Sequence, residues 1–291
     1  MILSKVNMHN SDNRIMPPLR VWLLFSALVC VLAVLLYFFE ETIEQKDNLA
    51  RTTYLQNKIK TSADRPVVLI IGTSLTQCAL DSSNKFEESI RNRSSVNPLI
   101  LKIWKGAGNV ETMSEIVNQV KQFHPDLLVV EANMFFYSPR GPALTDKLLS
   151  AFHTLLKMRL NNVYLPDEKP VTGFQNINQP VENFRDGIVD TSQLISFRNL
   201  AVQLQQHGTK IIFVNIPLVA EEEIKKWNSA DTIIFRSNLN FMRSKVAFKY
   251  LKLNKYLDKS YFLDKGHMNQ KGFQTYSGWL CDEISGELLN L

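Results

Sequence analysis

Cysteine is scarce in this sequence: Cys30, Cys78 and Cys281 are scattered, and no two of them form a C-x-x-C pair. A disulfide scaffold and a structural zinc site of the usual spacing are therefore excluded. No G-x-G-x-x-G follows the first apolar run of the folded region, which removes the fingerprint of a dinucleotide-binding protein. Dense Lys/Arg blocks are missing too, and the net charge is only +5, so there is no nucleic-acid footprint. Glycine and proline number 11 each, too few for a collagen-like or low-complexity chain. The five histidines form no His-x-His or His-x-x-x-His pattern, which speaks against a metal centre. No cofactor is expected.

What the sequence does hold is enough apolar material, 45% of 291 residues, to build a sizeable core. Residues 21–39, VWLLFSALVCVLAVLLYFF, form an uncharged run of 19. As a helix it would measure about 28 Å, close to the hydrocarbon thickness of a bilayer. Before it stand Lys5, Arg14 and Arg20 against Asp12; just after it Glu40, Glu41, Glu44 and Asp47 outweigh Lys46. Basic flanks resist translocation, which predicts a cytoplasmic N-terminus and an extracytoplasmic remainder. The run ends in Tyr37, Phe38, Phe39, Glu40 and Glu41, a poor cleavage site, so it reads as an anchor rather than a removable signal peptide. The expected organisation is a tail over 1–20, a transmembrane helix over 21–39, a polar helical stalk over 40–62 and one folded domain over 63–291.

Within that domain the runs Val67–Ile71, Leu99–Ile103, Leu127–Val130 and Ile211–Val214 are short, continuous and β-branched. Such runs are strands buried on both faces of a parallel sheet. Helical spacing over Val110–Phe123, Leu144–Leu160, Leu194–Gln206 and Phe273–Leu289 separates or follows them. Alternating strands and helices predict an α/β fold, a three-layer α/β/α sandwich with a central parallel sheet. Sites in such folds form beyond the carboxyl ends of the strands.

The first strand runs into Gly72-Thr73-Ser74-Leu75, which puts a serine hydroxyl on the turn into a helix, where a nucleophile could stand. A serine there can equally be a helix cap. Near the C-terminus, YFLDKGHMNQKG sets Asp264 and His267 three apart. At that spacing the carboxylate can take one ring N–H and leave the other nitrogen to accept a serine proton. The remaining histidines have no acid at working distance: His124 and His207 close helices, His153 lies within one, and His9 belongs to the tail.

Read together, these residues resemble the SGNH (GDSL-like) hydrolases over about residues 66–290. Ser74 matches the nucleophile, Asp264 and His267 match the D-x-x-H of the last block, and Asn269 and Gly272 match its followers. Asn133, after the third strand, matches the asparagine whose amide is an oxyanion donor. The second block offers Gly106 or Gly108, of which Gly108 is the preferred oxyanion N–H, beside the Ser74 N–H itself. Three positions depart from the pattern: Thr73 replaces the usual Asp, Glu131 stands where Gly is frequent, and Met134 where Asp is common. The departures resemble those of membrane-tethered members that act on cell-envelope glycans. The resemblance implies an SGNH/flavodoxin-like sandwich and a serine esterase or O-acyltransferase, acetyl being the expected group. It would act on a glycan or lipid ester outside the cytoplasm, in a bacterial periplasm. The alternative is a catalytically inactive SGNH-fold scaffold that partners an envelope acyltransferase.

Four weaker features complete the reading. Phe135, Phe136 and Tyr137 would form either core or a substrate platform, with core favoured. Residues 162–187 would be a lid or an unstructured insertion. Lys245, Lys249, Lys252, Lys255 and Lys259 would share one face of a helix. Cys78 and Cys281 would lie on neighbouring helices, close enough to pair in an oxidising compartment.

Overall fold

In the computed structural model of the chain the described residues are 19–62, 64–104, 110–136, 189 and 191–291, without the side chains of 33, 36–52, 112, 115, 119, 120 and 123. They divide between two units, Met1–Gln45 with Pro142–Asn162, and Lys46–Gly141 with Val163–Leu291. In the first unit the described residues belong to helix α1, which runs over Leu19–Thr61. Leu23, Leu24 and Leu28 on it are 61%, 72% and 63% exposed. Among the described residues no helix is long and apolar enough to cross a membrane. The expected span 21–39 lies on α1, with the side chains of 33 and 36–39 outside the described set.

The second unit is built on a five-stranded, wholly parallel sheet in the order β2-β1-β3-β4-β5. Its strands are β1 (Val67–Gly72), β2 (Leu99–Trp104), β3 (Leu127–Glu131), β4 (Lys210–Asn215) and β5 (Lys249–Lys252). Each of the four expected apolar runs lies inside one of the first four strands. Side chains alternate across the pleat and so feed two separate cores. Leu69, Ile71, Leu128, Val130 and Phe213 face α4 (Val110–Val120), α5 (Thr191–Gln206) and α7 (Asp231–Arg243), packing with Met113, Phe197 and Phe235. Val68, Ile70, Val129, Ile212 and Val214 face the opposite layer, α2 (Ser74–Ala79), α3 (Ser83–Ser94) and α8 (Gln270–Leu288), packing with Leu75, Phe86, Tyr276 and Leu280. The three layers are those expected. Helix α6 (Ala220–Asn228) and α7 lie between β4 and β5 in a stretch for which no helix was expected.

The order of strands fixes where a site can form. From β1 the chain crosses to β2 through α2 and α3 on one face, then returns past β1 to β3 through α4 on the other. The carboxyl ends of β1 and β3 therefore border the crevice at which the winding reverses, the place where ligands of open α/β sheets bind.

Two expectations need correction. The lysines from 245 to 259 do not stack on a helix, because Lys249–Lys252 is the edge strand β5. In a strand, positions 249 and 252 point to opposite faces. Lys249 instead pairs with Glu283 and Glu287, at 3.2 and 3.0 Å, while Lys252 lies 4.0 Å from the centroid of the Trp227 ring. Charged side chains on an edge strand discourage pairing with a further strand. The expected stalk is also not wholly free. Leu55 is 1% exposed within the first core, with Tyr54 and Ile59 packed against it. The last turns of α1 thus belong to the α/β body. Residues 144–160, expected as a helix, and 162–187, expected as a lid or insertion, lie outside the described residues. Leu55→Ala should therefore lower the unfolding free energy by about 2–5 kcal/mol in denaturant titration; an unchanged midpoint would return this segment to the stalk.

Candidate active site

Strand β1 delivers the chain into the turn that carries Ser74. Thr73 is the N-cap of α2, extended at φ −98° and ψ −167°, and its hydroxyl accepts the Leu75 N–H at 3.2 Å. This local bond starts the helix at Ser74 and leaves the Ser74 side chain for other work. The cap that the sequence allowed for Ser74 is therefore supplied by its neighbour.

His267 arrives from the far end of the chain on a tight excursion before α8. Leu263 N–H donates to the His267 carbonyl at 2.7 Å, and Phe262 and Met268 form an antiparallel bridge. Asn269 caps α8 through the Gly272 N–H at 3.1 Å. Gly272 itself is required by space, since a Cβ there would lie 2.1 Å from the Tyr261 carbonyl oxygen. Within the excursion Asp264 Oδ1 accepts the N–H groups of Gly266 and His267 at 2.8 and 2.7 Å. Its Oδ2 lies 2.7 Å from His267 Nδ1. A carboxylate there holds the proton on Nδ1, so Nε2 is the acceptor, and Nε2 lies 3.0 Å from Ser74 Oγ. Burial pushes the Asp264 carboxyl up, but the bonds from the His267 ring and from two backbone N–H groups outweigh it and hold the group below its ordinary 3.8. Ser74, His267 and Asp264 are thus brought together in one chain of contacts.

The other expected site residues fall differently. Asn133, 2% exposed in a short 3₁₀ turn after β3, donates from Nδ2 to the Ile216 carbonyl at 2.8 Å. Its Oδ1 accepts the Ile216 N–H at 3.0 Å. The amide therefore clamps the end of β3 to the segment after β4, and any oxyanion role falls to its second N–H. Gly106 and Gly108 lie outside the described residues, as does Tyr137. Phe135 and Phe136 are core: Phe135 meets Phe213 edge to face at 5.1 Å, and Phe136 stacks on Phe235 at 3.7 Å. Cys78 and Cys281 are buried and unpaired, and burial pushes each thiol up to about 12, so neither is a ready nucleophile.

One group that the sequence flagged only as a departure proves to be part of the turn. Glu131, 1% exposed at the end of β3, accepts the Thr73 N–H at 2.7 Å, the Thr73 hydroxyl at 2.9 Å and the Thr76 hydroxyl at 2.6 Å. Two of the three departures, Thr73 and Glu131, are therefore bonded to each other. Burial pushes the Glu131 carboxyl above its ordinary 4.5, with the bonds from Thr76 and Thr73 pulling it back. The signal was present in LLVVE: an acid closing an otherwise apolar, doubly covered strand must find donors. Beyond β4 a second buried network ties Asn215 to Glu223 and Lys226 at 3.0 and 2.9 Å, and burial lowers Lys226 to about 8.

No protein-family model matches the chain, and no curated protein matches it in sequence. In structure it is similar to GDSL-type lipases and esterases. A GDSL-like lipase from Bacteroides thetaiotaomicron is 10% identical, with 82% of this chain and 99% of that one covered at a TM-score of 0.41. The psychrotrophic esterase EstA from Pseudoalteromonas sp. is 10% identical, with 78% and 100% covered at 0.42. A catalytic mutant of an acetylxylan esterase from Geobacillus stearothermophilus is 10% identical, with 75% and 93% covered at 0.41. At such identities and scores the likeness carries no inference about chemistry, which rests on the side-chain geometry above.

Because the Asp264 pKa is depressed in the folded chain, its contribution to stability is complete above about pH 4 and fades as pH falls through the folded value. Asp264→Asn should abolish that share of the acid-limb loss. Denaturant midpoints measured from pH 7 to pH 2.5 should converge for the two proteins at the acid end, and parallel curves would contradict the depressed pKa.

Proposed function

We propose that the chain is a serine esterase or O-acyltransferase, working through Ser74, His267 and Asp264. The observation that carries this reading is the continuous contact from Asp264 Oδ2 through His267 to Ser74 Oγ, 2.7 Å and 3.0 Å long. Ser74 Oγ attacks the ester carbonyl as Nε2 takes its proton. The imidazolium that results is stabilised by Asp264 and returns the proton to the departing alkoxide. An acyl-serine remains, and water or a sugar hydroxyl, deprotonated by the same Nε2, releases the acyl group. The Ser74 N–H, the second Asn133 N–H and a glycine N–H from the turn after β2, Gly108 by preference, are the proposed oxyanion donors. Each such donor typically contributes about 10²- to 10³-fold in rate.

An acetyl ester on an envelope glycan or lipid is the substrate that the resemblance implies. The proposed location is extracytoplasmic, with residues 21–39 in the membrane and the N-terminus inside. This is supported by the uncharged 19-residue run, its charge asymmetry and the exposure of Val21, Trp22, Leu23, Leu24 and Phe25 in succession, since apolar groups exposed on every side of a helix call for an apolar surrounding. Anchoring would concentrate the enzyme near polymeric envelope substrates.

A fluorophosphonate probe should label the wild-type chain and leave Ser74→Ala unlabelled, and hydrolysis of a small acetyl ester by that variant should fall at least about 10³-fold. Wild-type turnover by Ser74→Ala would end the nucleophile assignment. Alkaline carbonate should leave the full chain in the membrane pellet and release one lacking residues 1–45; release of both would remove the anchor.

A further inference from the structure

Three protons converge on the Glu131 carboxylate, and they come from the two residues that bracket the nucleophile turn. Thr73, immediately before Ser74, gives its N–H and its hydroxyl; Thr76, two residues after Ser74, gives its hydroxyl. All three reach Oε2, between 2.6 and 2.9 Å. Ser74 is thus carried on a segment pinned on both sides to a neighbouring strand. The space around this contact is filled: a Cβ on Gly72 would lie 2.0 Å from the Thr76 hydroxyl oxygen and 2.8 Å from Glu131 Oε2. Only a residue without a side chain lets the carboxylate and the threonine meet there.

A carboxylate at the end of a buried strand is an expensive way to fill volume, because burying it costs free energy that its hydrogen bonds only offset. An apolar side chain would complete the layer at lower cost. What it could not do is hold a turn in one conformation through three directed bonds. Proton transfer from Ser74 to His267 depends on that conformation, since the Oγ–Nε2 contact is 3.0 Å and a displacement of about 1 Å can lower the rate roughly 10²-fold.

We infer that Glu131 is a positioning residue for the nucleophile, fixing Ser74 against His267 by accepting the hydrogen bonds of Thr73 and Thr76. The inference rests on the assignment of Ser74 as nucleophile. It acts through hydrogen-bond acceptance, so an amide, whose oxygen has two lone pairs and can keep the two shortest bonds, from the Thr73 N–H and the Thr76 hydroxyl, substitutes for the carboxylate. A leucine of similar size accepts none of them.

The test compares Glu131→Leu, Glu131→Gln, Thr76→Val and Ser74→Ala in the full chain. Turnover of a small acetyl ester is expressed per serine titrated by a fluorophosphonate, so that misfolded protein does not count. Glu131→Leu should lower kcat about 10²-fold with KM within twofold of wild type. Glu131→Gln should recover kcat to within a few-fold. Thr76→Val, which removes one donor and keeps the volume, should fall about tenfold and serves if the leucine variant does not fold. A wild-type kcat per titrated serine in Thr76→Val and in whichever Glu131→Leu protein folds would overturn the inference. So would a glutamine variant as impaired as the leucine one, because charge rather than position would then be the requirement. Ser74→Ala separates the two levels: if it stays active, the nucleophile assignment fails. If it is inactive while the Glu131 and Thr76 variants are unimpaired, only the positioning role fails.

Discussion

The bond between His267 Nε2 and Ser74 Oγ joins residues 193 positions apart over 3.0 Å, and no local preference of the chain could make it. It exists because β1 lies inside a parallel sheet and the loop before α8 returns to the same edge of that sheet. Helix α8 packs its Tyr276, Leu280 and Ile284 on the face that also carries Val68 and Ile70 of β1. The apolar layer thus positions the excursion bearing Asp264 and His267, and the relay follows from the packing. Any change that lets α8 slide over the sheet therefore acts on the distance between Ser74 and His267.

Polar groups in this core gather where strands end. Glu131 and Asn133 close β3, Asn215 closes β4, and each is tied to a different segment: the β1 turn, Ile216, and Glu223 with Lys226. Tyr276 adds the carbonyl of Asn215 at 2.9 Å. These bonds cross between connections that the sheet hydrogen bonds do not reach, and they tie adjacent loops to one another. Buried networks of this kind rigidify only when their members are satisfied. Along the strands themselves the interior is almost wholly aliphatic, as a sheet covered on both faces requires.

That division explains what could be read from the sequence. Four strands were legible because VVLII, LILKI, LLVV and IIFV are buried on both faces and so lose their alternation. The fifth was not, since KYLK lies at an edge with only Leu251 buried, and lysines at steps of three and four imitate a helix face. The meeting of Ser74, Asp264 and His267 was legible because a serine at a strand end and a D-x-x-H together have a chemical meaning that few other arrangements share. The work done by Asn133 and Glu131 was not, for their partners, Ile216 and Thr73 with Thr76, are set by tertiary contact. A polar residue at a strand end announces that it has a partner without saying which. Leu55 was hidden for the opposite reason: Tyr54, Leu55 and Ile59 are too few apolar residues in a polar helix to give a sustained periodic signal, yet they dock the end of α1.

The two carboxylates around Ser74 differ in how deeply each is buried and in what bonds to it. Asp264 and Glu131 are both buried, and burial pushes both upward, yet Asp264 ends below its ordinary value and Glu131 above. Asp264 faces an imidazole that can share its charge as well as two N–H groups, whereas the donors bonded to Glu131 are neutral hydroxyls and an amide. Glu131 is also the more deeply buried, 1% exposed against 8% for Asp264, and its donors do not offset that desolvation. As pH falls, Glu131 therefore gains its proton first, while Asp264 remains ionised. A folded pKa above the unfolded one means that the ionised form of Glu131 costs the fold stability, and that this cost is relieved as pH falls through the folded value. Asp264 contributes in the opposite sense. The turn that holds Ser74 is thus kept in place by a group whose charge opposes folding, and the relay by a group whose charge supports it. This is the pattern of a site where stability is given up locally for geometry.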